Sequence, residues 1–183
     1  GAAGDEDQAI DLDITALLTD TDGSESLSIT IGNVPDGAVL TNTAGDVFSG
    51  GTSFTLTAGQ LAGLQITPNP NDDTDFQLSV DATSTEGDGG DSETVSGTIN
   101  VSVAADADVP TLDLDSTVEG NQTAGSADGA EDQPINLDIT ALLTDIDSSE
   151  SLSIEITGVP AGASLNHGTF DPQTGNWTLN SDD

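Results

Sequence analysis

The chain has no lysine, arginine, cysteine, methionine or tyrosine, and among its 183 residues one tryptophan, one histidine and four phenylalanines. Each absence removes a class of function. Without basic side chains the protein cannot neutralise phosphates, which excludes nucleic-acid binding and polybasic attachment to anionic lipid. Without cysteine there are no disulfides and no thiolate metal sites. No apolar run approaches the roughly 20 residues of a membrane-spanning helix, so direct membrane insertion is not expected. A secretory leader with a charged start and an apolar middle is not visible, and an internal fragment would lack one too.

What is present is acid. The 34 acidic residues, 26 Asp and 8 Glu, give a formal net charge of −34. High charge of one sign with few aromatics is also a signature of disorder. The hydrophobic pattern argues against that. Ile10, Leu12 and Ile14 alternate with Asp11 and Asp13, and Leu27, Ile29 and Ile31 alternate with Ser28 and Thr30. The same period of two runs from Phe76 to Ala82 and from Val95 to Val103. It marks half-buried strands, spaced as in a β-sandwich. No helical period is evident.

The chain also repeats itself. Residues 4–40 align without gaps on residues 129–165, with 27 of 37 positions identical. Gly51–Thr57 then matches Thr174–Asn180, which sets Phe54 opposite Trp177. Such periodicity indicates a tandem array of one module. The expected strands of the first copy cover residues 9–18, 26–32, 38–41, 53–57, 64–67, 75–84 and 94–104. The second copy supplies residues 111–115, 135–143, 151–158, 163–166 and 176–180. The expected fold is all-β, in tandem Greek-key β-sandwich modules. Residues 1–108 form one module lacking its first strand, and residues 109–183 the first half of the next, as in a fragment of a longer repetitive protein.

Greek-key order assigns each loop to an end of its module. Loops 20–25 and 145–150 fall at the N-terminal end. Glu6 and Asp7, Asp72, Asp73 and Asp75, and the linker Ala105–Pro110 fall at the C-terminal end. Asp145, Asp147 and Glu150 of the next module are then expected to meet Glu6, Asp7, Asp72, Asp73, Asp75, Asp106 and Asp108. Two carboxylates ~4 Å apart repel by about 4 kcal/mol at an effective dielectric near 20. With no basic residue, the compensating charge must be a bound cation. Ca²⁺ fits best, because it takes 6–8 hard oxygen ligands at about 2.3–2.6 Å in flexible geometry. Mg²⁺ would demand a tighter octahedral cage, and transition metals would favour His or Cys. Asp20, Asp22 and Glu25 are the matching candidates in the first copy.

Asp106-Ala107-Asp108-Val109-Pro110 resembles the acidic interdomain linker of cadherins, and Asp145-x-Asp147 resembles their ligand pair. The stretch from Glu131-Asp132 through Glu150 to Val159-Pro160, with Leu61–Pro68, is similar to the cadherin- or immunoglobulin-like extender repeats of giant bacterial RTX adhesins, including the Ca²⁺-dependent repeats of ice- and biofilm-associated ones. The resemblance covers nearly the whole chain. It implies immunoglobulin/cadherin-like modules, Ca²⁺-rigidified rods, type I secretion and a bacterial cell-surface location. The expected partners are neighbouring repeats of the same chain. The linker holds fewer acids than a cadherin's.

Plainer readings compete at several positions. A solvated acidic surface, as in a halophile, would scatter its acids and favour no end. Asp11, Asp13, Asp81 and Asp113 fit that description, on expected exposed strand faces. Asp20-x-Asp22 does not open an EF-hand, because the twelfth position is Ile31. His167 stands where the first copy has Asn42, which argues against catalysis, and the protein is not expected to be an enzyme. Phe54 and Trp177 share one repeated position and read as packing residues. Asn121-Gln122-Thr123 and Asn176-Trp177-Thr178 match glycosylation sequons by chance. Residues 116–129 read as a mobile loop. The sequence thus points to a structural extender that holds a distal ligand-binding domain away from the cell. The alternatives are an adhesion module that itself binds a sugar, a peptide or a neighbouring cell, and an accessory domain of an extracellular hydrolase.

Overall fold

The computed structural model describes residues 1–20, 22–114, 124–145 and 147–180. The chain divides into two compact units, Gly1–Asp106 and Ala107–Asp183. Both are all-β. Among the described residues the only helical element is a 3-10 turn at Ala58–Leu61, and no helix is long and apolar enough to cross a membrane.

The first unit contains β1 (Ala2–Asp5), β2 (Ile10–Asp11), β3 (Glu25–Gly32), β4 (Val39–Thr41), β5 (Val47–Phe48), β6 (Ser53–Thr57), β7 (Gln65–Thr67), β8 (Phe76–Glu86) and β9 (Ser92–Ala104). One sheet has the order β1-β9-β8-β3-β6 and the other β2-β7-β4-β5. All pairings are antiparallel except β1 with β9, where Ala2 lies opposite Val101. The two sheets share one apolar core. Ile29, Ile31, Leu56, Leu78, Val101 and Val103 come from the first sheet, and Ile10, Leu40 and Ile66 from the second. Alternation along β3 and β9 puts these side chains on one face because successive strand residues point to opposite faces.

Three short strands, β1, β5 and the second unit's Thr169–Phe170, lie outside the stretches that alternation predicts. Conversely, the expected strand over 9–18 pairs only at Ile10 and Asp11. Leu12 N–H still donates to Leu64 O at 2.8 Å, but Ile14 N–H turns back onto Leu12 O at 3.1 Å, which ends the ladder. Burial keeps alternating beyond it, with Ile14 and Ala16 half-buried and Thr15 and Leu17 exposed. Among the acids expected on exposed faces, Asp11 and Asp13 are exposed, whereas Asp81 and Asp113 are half-buried.

The second unit contains β10 (Thr111–Asp113), β11 (Thr140–Leu142), β12 (Ser153–Ile156), β13 (Thr169–Phe170) and β14 (Trp177–Asn180). β10 pairs with β11, and the other three make a sheet of order β12-β14-β13. The expected strands 135–143 and 151–158 shrink to β11 and β12, and residues 163–166 form none. In the first unit the matching strands β2 and β4 both hydrogen-bond β7. The second unit has no counterpart of β7 among its described residues, and Ser164 replaces the β-branched Val39. Asp115, most of the 116–129 loop and the Asn121 sequon lie outside the described residues.

The two copies nevertheless share their turns. Positive φ recurs at Asp7 and Asp132 (58° and 61°), at Gly23 and Ser148 (90° and 83°), at Asn33 and Gly158 (57° and 74°) and at Gly37 and Gly162 (86° and 92°). An aromatic pair recurs as well. Phe48 and Phe54 have ring centroids 6.0 Å apart, and Phe170 and Trp177 5.4 Å.

Candidate metal centres

At one end of the first unit, backbone amides gather carboxylates from three distant stretches. β1 runs out beside the end of β9, so Glu6 N–H donates to Ala104 O at 2.9 Å. The Glu6 side chain then accepts the Asp106 N–H at Oε1, at 2.8 Å. Asp7 takes positive φ and accepts Asn71 N–H at 3.1 Å. Asp75, at the head of β8, accepts Val103 N–H at 2.8 Å. Asp72 accepts Thr74 N–H at 3.1 Å. Glu6, Asp7, Asp72, Asp75 and Asp106 are thus fastened at the same end of the unit, with Asp73 half-buried in the same loop. Glu6 is only 1 % exposed.

The opposite end carries the loop 20–25. Asp20 accepts Asp22 N–H at 3.0 Å and Asp22 accepts Ser24 N–H at 2.8 Å. Ser24 holds the Asp22 carboxyl below its usual range, first through its side chain and then through its backbone N–H. Glu25 lies directly opposite Glu86 across β3 and β8. Burial, followed by the charges of Glu86, Asp20 and Asp22, pushes the Glu25 carboxyl above its ordinary 4.5.

The second unit repeats this loop geometry. Asp147 N–H donates to Asp145 Oδ1 at 2.9 Å, and Ser149 N–H to Asp147 Oδ1 at 2.7 Å. Ser149 Oγ adds a bond to Asp145 Oδ2 at 3.1 Å. Here the linker runs alongside. Asp108 N–H donates to Glu150 Oε1, and Thr144 Oγ1 donates to Val109 O at 3.2 Å. Asp145 is 2 % exposed, whereas its counterpart Asp20 is exposed. Glu150 Oε2 is shielded from solvent and has no hydrogen-bond partner. A buried charged oxygen without a partner is costly, and a cation is the kind of partner it lacks.

Taken one unit at a time, the sequence-based candidates lie as follows. Glu6, Asp7, Asp72, Asp73, Asp75 and Asp106 occupy one end of the first unit. Asp20, Asp22 and Glu25 occupy its other end. Asp108, Asp145, Asp147 and Glu150 occupy one loop-and-linker region of the second. Sequence reasoning missed Glu86 at the Glu25 site and Ser149 on Asp145. The first needs the β3–β8 register, which alternation alone leaves open. The second was within reach, since Ser24 and Ser149 are conserved between the copies.

No family model, curated protein or solved structure matches this chain. The chemistry of the donor sets therefore has to speak for itself. All are hard oxygens from carboxylates, with hydroxyls and backbone nearby, and none is a nitrogen or sulfur donor. Such sets suit Ca²⁺, which accepts mono- or bidentate carboxylates in variable number.

Proposed function

We propose that this protein is a Ca²⁺-stiffened spacer, an extender repeat of a secreted bacterial surface adhesin that holds a distal binding domain away from the cell. Its modules are of the immunoglobulin/cadherin-like Greek-key kind. Ca²⁺ is held by Asp108, Asp145, Asp147 and Glu150 in the second unit. Further ions are held by Glu6, Asp7, Asp72, Asp73, Asp75 and Asp106, and by Asp20, Asp22 and Glu25, in the first. The ion neutralises carboxylates that no basic residue can balance, and so fixes the linker Asp106–Pro110 where one repeat passes into the next. The role is mechanical, with neighbouring repeats as partners.

The observation that carries the reading is the shielded Glu150 Oε2, in a chain without a single Lys or Arg. The near-identity of the repeats supports a spacer over a binding module, because a recognition site seldom needs copying so closely. The test is a calorimetric Ca²⁺ titration of the full chain and of Glu150→Gln. The wild type should release or absorb binding heat and the variant should lose at least one site. Equal titrations would contradict the proposal. A glycan and peptide array read in Ca²⁺ should stay blank.

A further inference from the structure

The first unit contains three Asp-Gly pairs, Asp22-Gly23, Asp36-Gly37 and Asp88-Gly89. At such a pair no Cβ shields the glycine nitrogen, so the aspartate carboxyl can close on it wherever both groups are free to move. The pairs differ in that freedom. Asp22 is tied: its N–H donates to Asp20 Oδ1 at 3.0 Å and its own Oδ1 accepts Ser24 N–H at 2.8 Å. Ser24 also keeps the Asp22 carboxyl ionised to lower pH than usual, and the ionised form is the poorer electrophile. Asp36-Gly37 is the middle of a turn closed by Ala38 N–H onto Pro35 O at 3.2 Å. Gly37 holds φ of 86° there, and a side chain on it would strike Asn69 Oδ1.

Asp88-Gly89 is the opposite case. It lies at the tip of the β8–β9 hairpin, which Glu86 N–H closes on Asp91 O at 2.9 Å. Gly87 N–H anchors the near side to Ser24 O at 2.8 Å. Beyond those two bonds nothing restrains the tip. Residues 87–91 are exposed, and Asp88 and Gly89 make no hydrogen bond to any described residue. A Cβ on Gly89 or Gly90 would meet nothing within 4 Å. The β8–β9 ladder ends at the pair Thr85 and Ser92, so the tip can change shape without disturbing it.

We propose that Asp88-Gly89 is a site of spontaneous covalent modification, at which the aspartate isomerises to isoaspartate in the folded protein. In the first step Gly89 N attacks Asp88 Cγ. The N–Cγ bond forms and a Cγ–O bond breaks, and water leaves, made of that oxygen, the amide proton and the carboxyl proton. In the second step water adds to the cyclic imide at the main-chain carbonyl carbon of Asp88. The bond from that carbon to Gly89 N breaks, and the nitrogen takes up a proton. The chain then runs through Cγ, one methylene longer, and the former carbonyl is a free α-carboxyl. Addition of water at Cγ instead restores aspartate. Mass and charge are the same at the end as at the start, and water is the only co-reactant.

The experiment incubates the full chain for weeks in neutral buffer at body temperature, with circular dichroism confirming that it stays folded. Digestion with a Glu-specific protease and electron-transfer fragmentation then separate isoaspartate from aspartate in each peptide. Isoaspartate should build up at residue 88 at least about tenfold faster than at residues 22 and 36, because those two must first open locally. In guanidinium chloride the three rates should converge. Asp88→Glu, whose longer side chain closes a larger ring far more slowly, should lose the signal from residues 87–93 and melt as the wild type does. Equal rates at the three sites in the folded chain would overturn the proposal. So would a tenfold preference for residue 88 that persists in guanidinium chloride, or an undiminished signal from residues 87–93 in Asp88→Glu.

Discussion

Glu25 faces Glu86 across β3 and β8, where like charges directly opposite one another destabilise a sheet. Its carboxyl lies above its ordinary 4.5, so the folded state binds that proton more readily than the unfolded state does. Stability from this group therefore increases as pH falls through and below that range, and is lost as pH rises above it. Asp22, Asp46 and Asp171 act in the opposite sense. Hydrogen bonds hold them below 3.8: from Ser24, from Gln60 and Asn42, and from Gln173 and Thr174 respectively. Their contribution is present above 3.8 and disappears as pH falls below it. Glu25→Gln should accordingly raise the melting temperature of the first unit at pH 7 in chelator, and give no gain near pH 3. Saturating Ca²⁺ should reverse the order, because the variant gives up a ligand. Scanning calorimetry that finds the variant less stable in chelator at pH 7 would refute the repulsion argument. Ser148 offers a second test. It holds φ of 83° where the first copy has Gly23, and such backbone costs of order 1 kcal/mol in a residue with a Cβ. Ser148→Gly should stabilise the second unit by about that amount in denaturant unfolding. The turns at Asp20, Asp22 and Ser24 were legible in the sequence because their bonds are local. The Glu25–Glu86 conflict was not, because it depends on register between distant strands.

At the scale of elements, alternation located β3, β6, β8 and β9 well, since each is long enough, or sufficiently β-branched, to show period two. It missed β1, whose Ala-Ala-Gly-Asp has no apolar rhythm and which exists because β9 offers it a parallel edge. It overextended the stretch after Ile10, because burial can alternate without a partner strand to make a ladder. Closely similar segments also pair differently in the two copies, and β2 and β4 form where β7 is there to bond both of them. A matched pair of substitutions measures the difference. Leu56, 1 % exposed, should cost about 2–5 kcal/mol on replacement by Ala, as for a fully packed leucine. Its half-buried counterpart Leu179 should cost less than half as much. Equal losses in urea unfolding of the two variants would mean that the second unit packs as tightly as the first.

At the scale of the whole molecule the governing fact is a charge of −34 with nothing in the chain to balance it. Self-repulsion opposes the compact state, and an ion that binds only the folded state stabilises it by about 2.7 kcal/mol at a hundredfold excess over its dissociation constant. Millimolar Ca²⁺ should therefore raise the melting temperature of both units well above that in chelator, while sodium chloride of equal ionic strength should do much less. The composition made the charge imbalance legible, and the repeat made the recurring turns legible. How Asp106 and Asp108 are fastened was not, because Asp106 N–H bonds to Glu6 and Asp108 N–H to Glu150 only once β1, β9 and the 145–150 loop have folded. The most direct test of the account lies in that linker. Backbone ¹⁵N relaxation of Ala105–Val109 should give order parameters near 0.6 or lower in chelator and near 0.85 in Ca²⁺, the values of flexible and rigid backbone. In the double variant Asp106→Asn, Asp108→Asn both units should stay folded and the linker should remain flexible when Ca²⁺ is added. Order parameters that do not change with Ca²⁺ in the wild type, or that rise equally in the variant, would contradict it.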